Sequence, residues 1–491
     1  MKNNNKTKSL ISLVIMFTLI LGLVFSISHQ NMKQVHGFEW LFNNDSESEK
    51  MTEEDMQYIV DVYNSIQQYY VEDVSKEQLL EGALKGMVNS IGDPHSEFLN
   101  AQETESMNET VEGSFQGVGI QIMSVDNQIV VVTPIEGTPA SQAGIQPNDI
   151  VLEADGTELT GMDTNSVVEL IRGQEGTTVK LVIQRGDATF DLELERAEIP
   201  IVTVTGELDK EHSQVGSIKI SQFNGTTYDE LVDVVTDLRD QGATSFVFDL
   251  RYNPGGLLDQ GLAISNMFLQ DDDIIMQMEE SGDTDSRITY VANDKEYGDF
   301  QITEPFVLLI NEGSASASEI VAAAIQENTD APILGTTSFG KGSVQTVINQ
   351  SDLGELKITF AKWLTPSGEW IHDKGITPTT EIKALPIESS VLLNSDDTLS
   401  IGDGSDQVQS LTYILDACDY EVTVGSFYDE SVQAAVEQFQ KDNDLEVTGE
   451  VTEDTASLLN ARAREFVQEN DAQYDEAVDI LMDLISEDQA A

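Results

Sequence analysis

Between residues 200 and 335 the chain alternates short apolar runs with stretches of helical spacing. The runs "GSIKI", "SFVFDLR" and "PFVLLIN" have the length and composition of buried strands. Apolar residues recur at helical intervals in "YDELVDVVTDLRDQ" and "SEIVAAAIQE". Strands that alternate with helices predict an α/β core built on buried strands.

Other segments surround this core. Residues 51–112 repeat apolar residues at helical spacing, which predicts an N-terminal helical domain. Residues 113–198 are short β-rich runs punctuated by glycine, which predicts a compact β module. The remaining predicted segments are the core at 199–385, a polar linker at 386–404, a small module at 405–462 and an acidic helical tail at 463–491.

The N-terminus predicts a membrane anchor. The run from Leu10 to Ile27 carries no charge, and lysines precede it. Its length approaches the ~20 residues that span a bilayer, and the lysines keep the N-terminal side in the cytoplasm. We expect a cytoplasmic tail at 1–8, a single-pass anchor in the cell membrane at 9–28, a linker at 29–50 and extracytoplasmic domains beyond. Cleavage after the small-x-small sequence Ser26-Ile27-Ser28 would instead give a secreted protein.

Composition excludes several function classes. The 491 residues include 88 Asp and Glu against 25 Lys and Arg, a formal net charge of −63. Nucleic acids and anionic membrane surfaces need clustered cations, so neither is a predicted partner. A lone cysteine, Cys418, excludes an internal disulfide framework and a cysteine-based zinc site. We predict no metal and no cofactor.

The segment "LGTTSFGKGSVQ" contains Gly335-x-x-x-x-Gly340-Lys341, most of a nucleotide-binding P-loop. Gly342 stands where the magnesium-binding hydroxyl should follow the lysine. The helix that a P-loop opens is also missing, because the following residues indicate strands and turns. We therefore interpret Lys341 as a residue that moves a proton.

A serine suited to proton chemistry lies in "INEGSASASEI". An apolar strand runs through a glycine turn into a helix that begins near Ser316, and amides at such a helix N-terminus favour a developing oxyanion. Ser316 and Glu319 also match a capping box, in which both side chains only satisfy helix amides. The local pattern leaves both interpretations open.

Further residues complete a candidate catalytic set. The glycine pair in "DLRYNPGG" follows a buried strand and can bring amides close to a ligand. Gln345 is four residues after Lys341, which places the two on one face of a helical turn or a strand. A lysine acts as a base only when its amine is neutral. Its site must therefore be dry and screened from the acidic surface, which lowers the pKa of the amine, or the protein must work in alkaline surroundings.

The core segment contains no histidine suited to a Ser-His-Asp triad. His372 is adjacent to Asp373, and neighbouring residues cannot form the bridging arrangement of a triad. We interpret His372 as a solvent-facing turn residue.

The combination of "GSASASE", "GKGSVQ" and "DLRYNPGG" resembles the carboxyl-terminal processing (tail-specific) peptidases, and the resemblance covers about residues 55–385. It implies an α/β core of the ClpP/crotonase-like type, with Ser316 as nucleophile, Lys341 as general base and Gln345 as its orienting partner. It also implies an oxyanion hole made by the amides of Ala317 and of the Gly255-Gly256 pair, without saying which glycine donates. His95 stands where the family commonly has tyrosine.

The glycine-rich module resembles a PDZ domain. Its "FQGVGIQI" corresponds to the carboxylate-binding loop, which implies substrate contacts from Gly117, Val118, Gly119 and Ile120. A scaffold module without a link to catalysis is the alternative. Arg172 either couples a bound tail to the active site or is an exposed arginine with a solvent partner. The module at 405–462 resembles a three-helix peptidoglycan-binding domain.

The predicted function is that of an extracytoplasmic serine endopeptidase, anchored in the membrane and held to peptidoglycan. Its partners would be protein substrates with accessible C-terminal tails. The alternatives are a non-catalytic adaptor that holds tails at the wall, and a cell-wall hydrolase. Apolar faces on the N-terminal helices also suggest a homodimer.

Overall fold

The structure is a computed structural model that describes residues 51–125, 127–186, 188–280, 287–351, 353–395 and 397–490. The chain divides into two compact units, Met1–Pro94 and His95–Ala491. The predicted anchor at residues 9–28 and its flanking segments lie outside the described residues. In the part of the chain that is described, no helix is both long and apolar enough to cross a membrane.

Both helices that the apolar spacing predicts are present in the first unit, as α1 (Glu53–Tyr69) and α2 (Lys76–Asn89). In α1, the Thr52 hydroxyl accepts the Asp55 N–H and the Asp55 carboxylate accepts the Thr52 N–H, which satisfies two amides at the helix start. None of the residues of α1 is buried. Its exposed apolar side chains include those of Tyr58, Ile59, Val62 and Tyr69.

The second unit begins with β1 (Glu97–Leu99) and α3 (Ala101–Glu112), followed by a β-rich domain. The domain consists of β2 (Ser114–Gly117), β3 (Ile120–Val125), β4 (Gln128–Pro134), α4 (Pro139–Gln142), β5 (Ile150–Ala154), β6 (Thr157–Glu158), α5 (Thr164–Ile171), β7 (Thr178–Arg185), β8 (Ala188–Glu195) and β9 (Ala197–Pro200). Its main sheet has the strand order β3-β4-β5-β7-β8, and β2 pairs with β9 in a separate two-stranded sheet.

The predicted α/β core follows. Its elements are β10 (Val204–Leu208), β11 (Val215–Ile220), α6 (Thr227–Gln241), β12 (Ser245–Asp249), α7 (Leu258–Asn266), β13 (Ile274–Glu280), β14 (Ile288–Val291), α8 (Asp294–Tyr297), β15 (Phe306–Ile310), α9 (Ala317–Asn328), β16 (Ile333–Gly335), β17 (Ser343–Ser351), β18 (Gly354–Leu364) and β19 (Thr380–Glu381). One sheet has the order β10-β11-β12-β15-β16-β19, and β11, β12, β15 and β16 run parallel in it. A second, antiparallel sheet has the order β1-β18-β13-β14, with β17 paired to β18.

Successive side chains of a strand point to opposite faces of the sheet. In the parallel sheet, both of these faces are covered. Phe246 and Phe248 of β12 pack with helices α6, α7 and α9 in the largest apolar cluster. Val247, between them, faces the other way and belongs to a separate cluster. The apolar run "SFVFD" is therefore buried along its whole length.

The C-terminal part begins with α10 (Asp406–Ala417), α11 (Glu430–Asp442) and α12 (Glu453–Glu469), which share one apolar core. The sequence placed the end of this module at residue 462, but α12 continues through that position. The last helix, α13 (Ala472–Ala490), packs on the open face of the parallel sheet, where Ala477, Val478 and Leu481 are buried against Val247 and its neighbours. The acidic tail is therefore part of the core structure.

Candidate active site

Ser316 lies in a strained turn between β15 and α9. Its φ is 55° and its ψ is −114°, in a region that residues other than glycine rarely adopt. The Ser316 side chain makes no capping hydrogen bond, and the Glu319 N–H donates to the Ser316 carbonyl at 2.9 Å. Among the described residues the Ser316 hydroxyl has no hydrogen-bond partner. One half of the predicted capping box is present, because the Glu319 carboxylate accepts the Ser316 N–H. The other half, a hydrogen bond to the Ser316 hydroxyl, is missing in the described residues, so capping does not account for this hydroxyl.

Glu319 joins the segments of Ser316 and Lys341. Its fully buried carboxylate accepts the N–H of Ser316 and the N–H of Lys341 on the same oxygen, Oε2, at 2.8 Å each. The other oxygen accepts the Gly340 N–H and the Ser338 hydroxyl, both at 2.6 Å. The two main-chain nitrogens are thus separated by at most twice 2.8 Å. A buried carboxylate needs hydrogen-bond donors of this kind. The position of Glu319 within the apolar run of α9 is therefore the sequence signal that could have indicated its role.

Two tryptophans and a histidine hold the main chain around Lys341. The Lys341 carbonyl accepts the Trp363 indole N–H at 2.7 Å, and the Gly342 carbonyl accepts the Trp370 indole N–H at 3.0 Å. The Gly342 N–H donates to Nδ1 of His372 at 3.3 Å. His372 lies in a turn, as predicted, but it is half-buried and stacks on Trp370, so the prediction that it faces solvent is wrong. It contacts the lysine loop and forms no part of a triad.

The loop of Lys341 leads into a strand. β17 begins at Ser343 and forms a hairpin with β18, so the helix that a P-loop requires does not follow the lysine. The prediction that strands and turns follow the lysine is therefore confirmed.

Gln345 lies on β17, and the argument that paired it with Lys341 on one strand face does not apply. Lys341 precedes the strand, and a β-bulge falls between Val344 and Gln345. The Gln345 side-chain N–H groups donate to the hydroxyls of Ser343 and Thr359, at 3.0 Å each. Its role as the partner of Lys341 stays a prediction.

The two glycines of "DLRYNPGG" differ in their surroundings. A Cβ on Gly255 would lie 2.8 Å from Ser316 Cβ and 2.9 Å from the Ala317 nitrogen, so only glycine fits against the serine. The Gly255 N–H donates to Oδ1 of Asn253 at 2.9 Å. Gly256 and Ala317 have N–H groups without a partner in the described residues. The oxyanion hole that the family resemblance implies at these amides stays a prediction.

Asn253 was missed by the sequence analysis, and it connects the glycine loop to the serine turn. It is fully buried, and its side-chain N–H donates to the Ile220 carbonyl at 2.8 Å. Its main-chain carbonyl accepts the Ala315 N–H at 3.0 Å and the Ser318 hydroxyl at 2.9 Å. The residues on either side of Ser316 are therefore fixed by the same asparagine that engages Gly255.

Comparisons with known proteins identify the family of the chain. A model of peptidase family S41 matches residues 214–382, and models of the N-terminal domain of the activating protease CtpB, a PDZ domain and a peptidoglycan binding domain match residues 21–104, 130–185 and 404–459. The carboxy-terminal processing protease CtpA of Bacillus subtilis (strain 168) is 35% identical over 469 residues, which cover 95% of this chain and 97% of that protein. The chain belongs to the carboxy-terminal processing proteases. A solved photosystem II D1 C-terminal processing protease is 27% identical, with a TM-score of 0.39 over 68% of this chain and 95% of that one.

The processing protease carries a PDZ domain at the predicted place, and the four residues predicted to bind substrate lie in the loop before β3 and at its two ends. Gly117 ends β2 and Ile120 begins β3. The Val118 carbonyl accepts the Ala140 N–H, and the Gly119 carbonyl accepts the Ile135 N–H, at 2.9 Å each. Within the described residues β3 pairs along its length only with β4, which leaves an edge where a peptide strand can add.

Arg172 of the processing protease connects the PDZ domain to α3. Its guanidinium pairs with Glu109 of α3 and lies 4.6 Å from the centre of the Phe115 ring. The interpretation as an arginine with only a solvent partner is therefore wrong. α3 in turn contacts the core, because its Val111 carbonyl accepts the Gly225 N–H at 2.9 Å. Whether a bound tail acts through Arg172 stays a prediction.

Proposed function

We propose that the protein is an extracytoplasmic serine endopeptidase that binds the C-terminal tail of a protein substrate with its PDZ domain and cleaves the chain with a dyad of Ser316 and Lys341. The observation that carries the proposal is the shared acceptor, Oε2 of Glu319, which brings the main chains of the two residues together. The unpartnered Ser316 hydroxyl and the two amides beside it support the same chemistry.

In the proposed reaction, neutral Lys341 takes the hydroxyl proton as Ser316 Oγ attacks the carbonyl carbon of the scissile bond. The N–H groups of Gly256 and Ala317 donate to the developing oxyanion. Lys341 returns the proton to the leaving amine, which gives an acyl ester on Ser316. Lys341 then deprotonates a water molecule, and hydrolysis of the ester releases the second product. Gln345 Oε1, which accepts no hydrogen bond from the described residues, would orient the lysine amine.

Location and tethering belong to the same proposal. The uncharged run from Leu10 to Ile27 with lysines before it supports a membrane anchor and domains outside the cytoplasm. The match of residues 404–459 to a peptidoglycan binding domain supports attachment to the wall. Fractionation of cells, followed by release of the protein with muramidase or with detergent, separates the two attachments. A protein found in the cytosolic fraction would contradict both.

Cleavage of an unstructured protein with an apolar C-terminus, monitored by mass spectrometry, tests the catalytic proposal. We expect the wild type to cut and Ser316→Ala and Lys341→Ala to be folded but inert. Lys374→Ala makes the same change at an exposed lysine paired with Glu369, and it should cut like the wild type. Tail binding without cleavage by the wild type would favour the adaptor function instead. The rate of cleavage should also increase with pH as Lys341 loses its proton. A pH-rate profile whose lower limb falls below about pH 6 would argue against a lysine base.

The apolar side chains of α1 support the proposed homodimer. Val62 is 61% exposed and Tyr69 is 77% exposed, and exposed apolar patches commonly mark contacts between proteins. We expect sedimentation to show a dimer at micromolar concentration and Val62→Asp to shift it to monomer. A wild-type monomer would remove the idea.

A further inference from the structure

The C-terminal helix α13 is attached to the protease core by an apolar face. It lies on the face of the parallel sheet opposite α6, α7 and α9, where Ala477 and Leu481 are fully buried. The Tyr474 hydroxyl donates to Oδ2 of Asp209 at 3.1 Å. A segment that follows the peptidoglycan-binding module therefore completes the core.

The start of this segment binds Arg251, which lies in the motif "DLRYNPGG". The guanidinium donates from Nη1 to Oδ1 of Asp471 at 2.8 Å and from Nη2 to Oδ2 at 2.6 Å. Nη1 also donates to Oε1 of Gln473 at 3.0 Å. The Gln473 side chain is fixed in turn, because its N–H donates to the Ile382 carbonyl at 2.7 Å. Two parallel bonds between a guanidinium and a carboxylate are geometrically specific.

The opposite side of the same guanidinium is bound at the end of β12. Nε donates to Oδ1 of Asp249 at 2.9 Å, and Nη2 donates to Oδ2 at 2.8 Å. Arg251 is only 9% exposed. Burial raises the pKa of Asp471, but the hydrogen bonds and the charge of Arg251, together with the main-chain N–H groups of Tyr474 and Gln473, outweigh burial and hold that pKa below its ordinary value. The pair is therefore charged at neutral pH.

Arg251 stands at the beginning of the loop that carries the proposed oxyanion amide. The next residue, Tyr252, has a φ of 59°, and its N–H donates to Oδ1 of Asn311 at 2.8 Å. Asn253 then engages both Gly255 and the residues that flank Ser316. A displacement of Arg251 would be transmitted along the four residues from Tyr252 to Gly255 to the Gly256 amide.

We propose that Asp471 is a positioning residue for the oxyanion loop, so that proteolysis depends on a segment beyond the peptidoglycan-binding module. Asp471 never touches the substrate and acts through Arg251. The inference rests on the proposed function. Stabilisation of the transition state is sensitive to shifts of about 1 Å in a donor, so loss of the pair lowers kcat more than it changes KM.

The test uses the full-length protein and an internally quenched, unstructured peptide with an apolar C-terminus, well below the melting temperature of each variant. We expect Asp471→Asn to lower kcat by about tenfold with little change in KM. Asp471→Glu, which keeps the charge, should recover most of the loss. The control is Asp475→Asn, the same chemical change one turn along α13 at an exposed position that does not contact Arg251; its kcat should match the wild type.

A double-mutant cycle with Arg251→Lys shows whether the two residues act together. Lysine keeps the charge but lacks the fork that binds both carboxylates. If Asp471 acts through Arg251, the double variant loses no more kcat than the worse single variant. Additive losses, or equal kcat in Asp471→Asn and Asp475→Asn, would overturn the proposal.

Hydrogen exchange separates this inference from the proposed function. If the wild type cleaves no substrate, the proposed function is wrong. The inference is then tested by the rate of hydrogen exchange at the main-chain amides between Tyr252 and Leu257. They should exchange faster in Asp471→Asn than in Asp475→Asn, and equal rates would contradict the positioning role. If Asp471→Asn does not fold, the same comparisons of kcat and exchange are made with Asp471→Ser, which also lacks the carboxylate; values equal to those of Asp475→Asn then overturn the proposal.

Discussion

The main-chain N–H groups of Ser316 and Lys341, 25 residues apart in sequence, donate to one oxygen of a single buried carboxylate. The proposed nucleophile and the proposed base are thus held together by Glu319 whether or not their side chains are in contact. Four donors converge on this carboxylate, which fixes the serine turn and the lysine loop as one unit.

Glu319→Gln should uncouple that unit. An amide has one acceptor oxygen in place of two, so at least one buried N–H or hydroxyl loses its partner, at a cost of about 1–3 kcal/mol. We expect a similar loss in the free energy of unfolding and a drop in kcat of at least about tenfold. Glu327→Gln, on an exposed part of the same helix, provides the control. Wild-type kcat in Glu319→Gln would show that the shared acceptor is dispensable.

The two tryptophans at the lysine loop offer a matched comparison. Trp363 is 1% exposed and Trp370 is 38% exposed, and each donates its indole N–H to a neighbouring carbonyl of the loop. Water can replace the lost donor at Trp370 but not at Trp363. Trp363→Phe should therefore reduce stability by about 1–3 kcal/mol and lower kcat, whereas Trp370→Phe should do little of either. Equal effects in urea unfolding and in activity would contradict this account of the loop.

Alanine substitutions at Gly119 and Gly137 distinguish the effect of a steric clash from the effect of backbone strain in the PDZ domain. Both have a φ near 78°, but a Cβ on Gly119 would lie 2.4 Å from Thr138 Cβ, whereas nothing lies within 4 Å at Gly137. Alanine at either position carries the cost of a left-handed residue, about 1 kcal/mol. Only Gly119→Ala should also distort the loop before β3. We expect it to weaken the binding of a C-terminal peptide at least tenfold by fluorescence anisotropy, with Gly137→Ala near the wild type. Equal affinities in both variants would remove the loop from substrate binding.

The secondary structure and the motifs were accessible from sequence, whereas contacts between distant segments were not. The apolar periods of β12, β15, α6 and α9 predict those elements, because burial on one or both faces leaves a local pattern. No local pattern indicates that Val478 and Leu481 cover a strand more than 200 residues earlier, since their spacing also fits an isolated amphipathic helix. The bulge before Gln345 likewise breaks a period-two argument that assumed a regular strand.

Asp475 provides a pH-dependent prediction about how α13 docks. Burial, and then the charges of Asp471, Asp479, Asp209 and Glu211, raise the pKa of Asp475. Between its unfolded and folded pKa values the folded state binds more protons, so the free energy of unfolding decreases as pH rises through the folded pKa. Asp475→Asn should therefore stabilise the protein at pH 7, by about 0.5 kcal/mol for a largely exposed group, and lose this advantage below the ordinary pKa.

Thermal unfolding of the wild type and of Asp475→Asn at pH 7 and pH 3 measures the difference in their stability. Added salt should reduce this difference at pH 7, because it screens the repulsion between Asp475 and the neighbouring carboxylates. A variant that is less stable than the wild type at pH 7 would show that the carboxylate makes a favourable contact.

The most direct test of the dyad is covalent labelling of Ser316 by an electrophilic serine-protease probe, located by mass spectrometry of the peptide that contains it. We predict that the wild type is labelled at Ser316, at a rate that increases with pH as Lys341 loses its proton. Ser316→Ala and Lys341→Ala, both folded, should remain unlabelled, and Lys374→Ala should react like the wild type. Labelling of Ser316 at the wild-type rate in Lys341→Ala would contradict the assignment of Lys341 as the base.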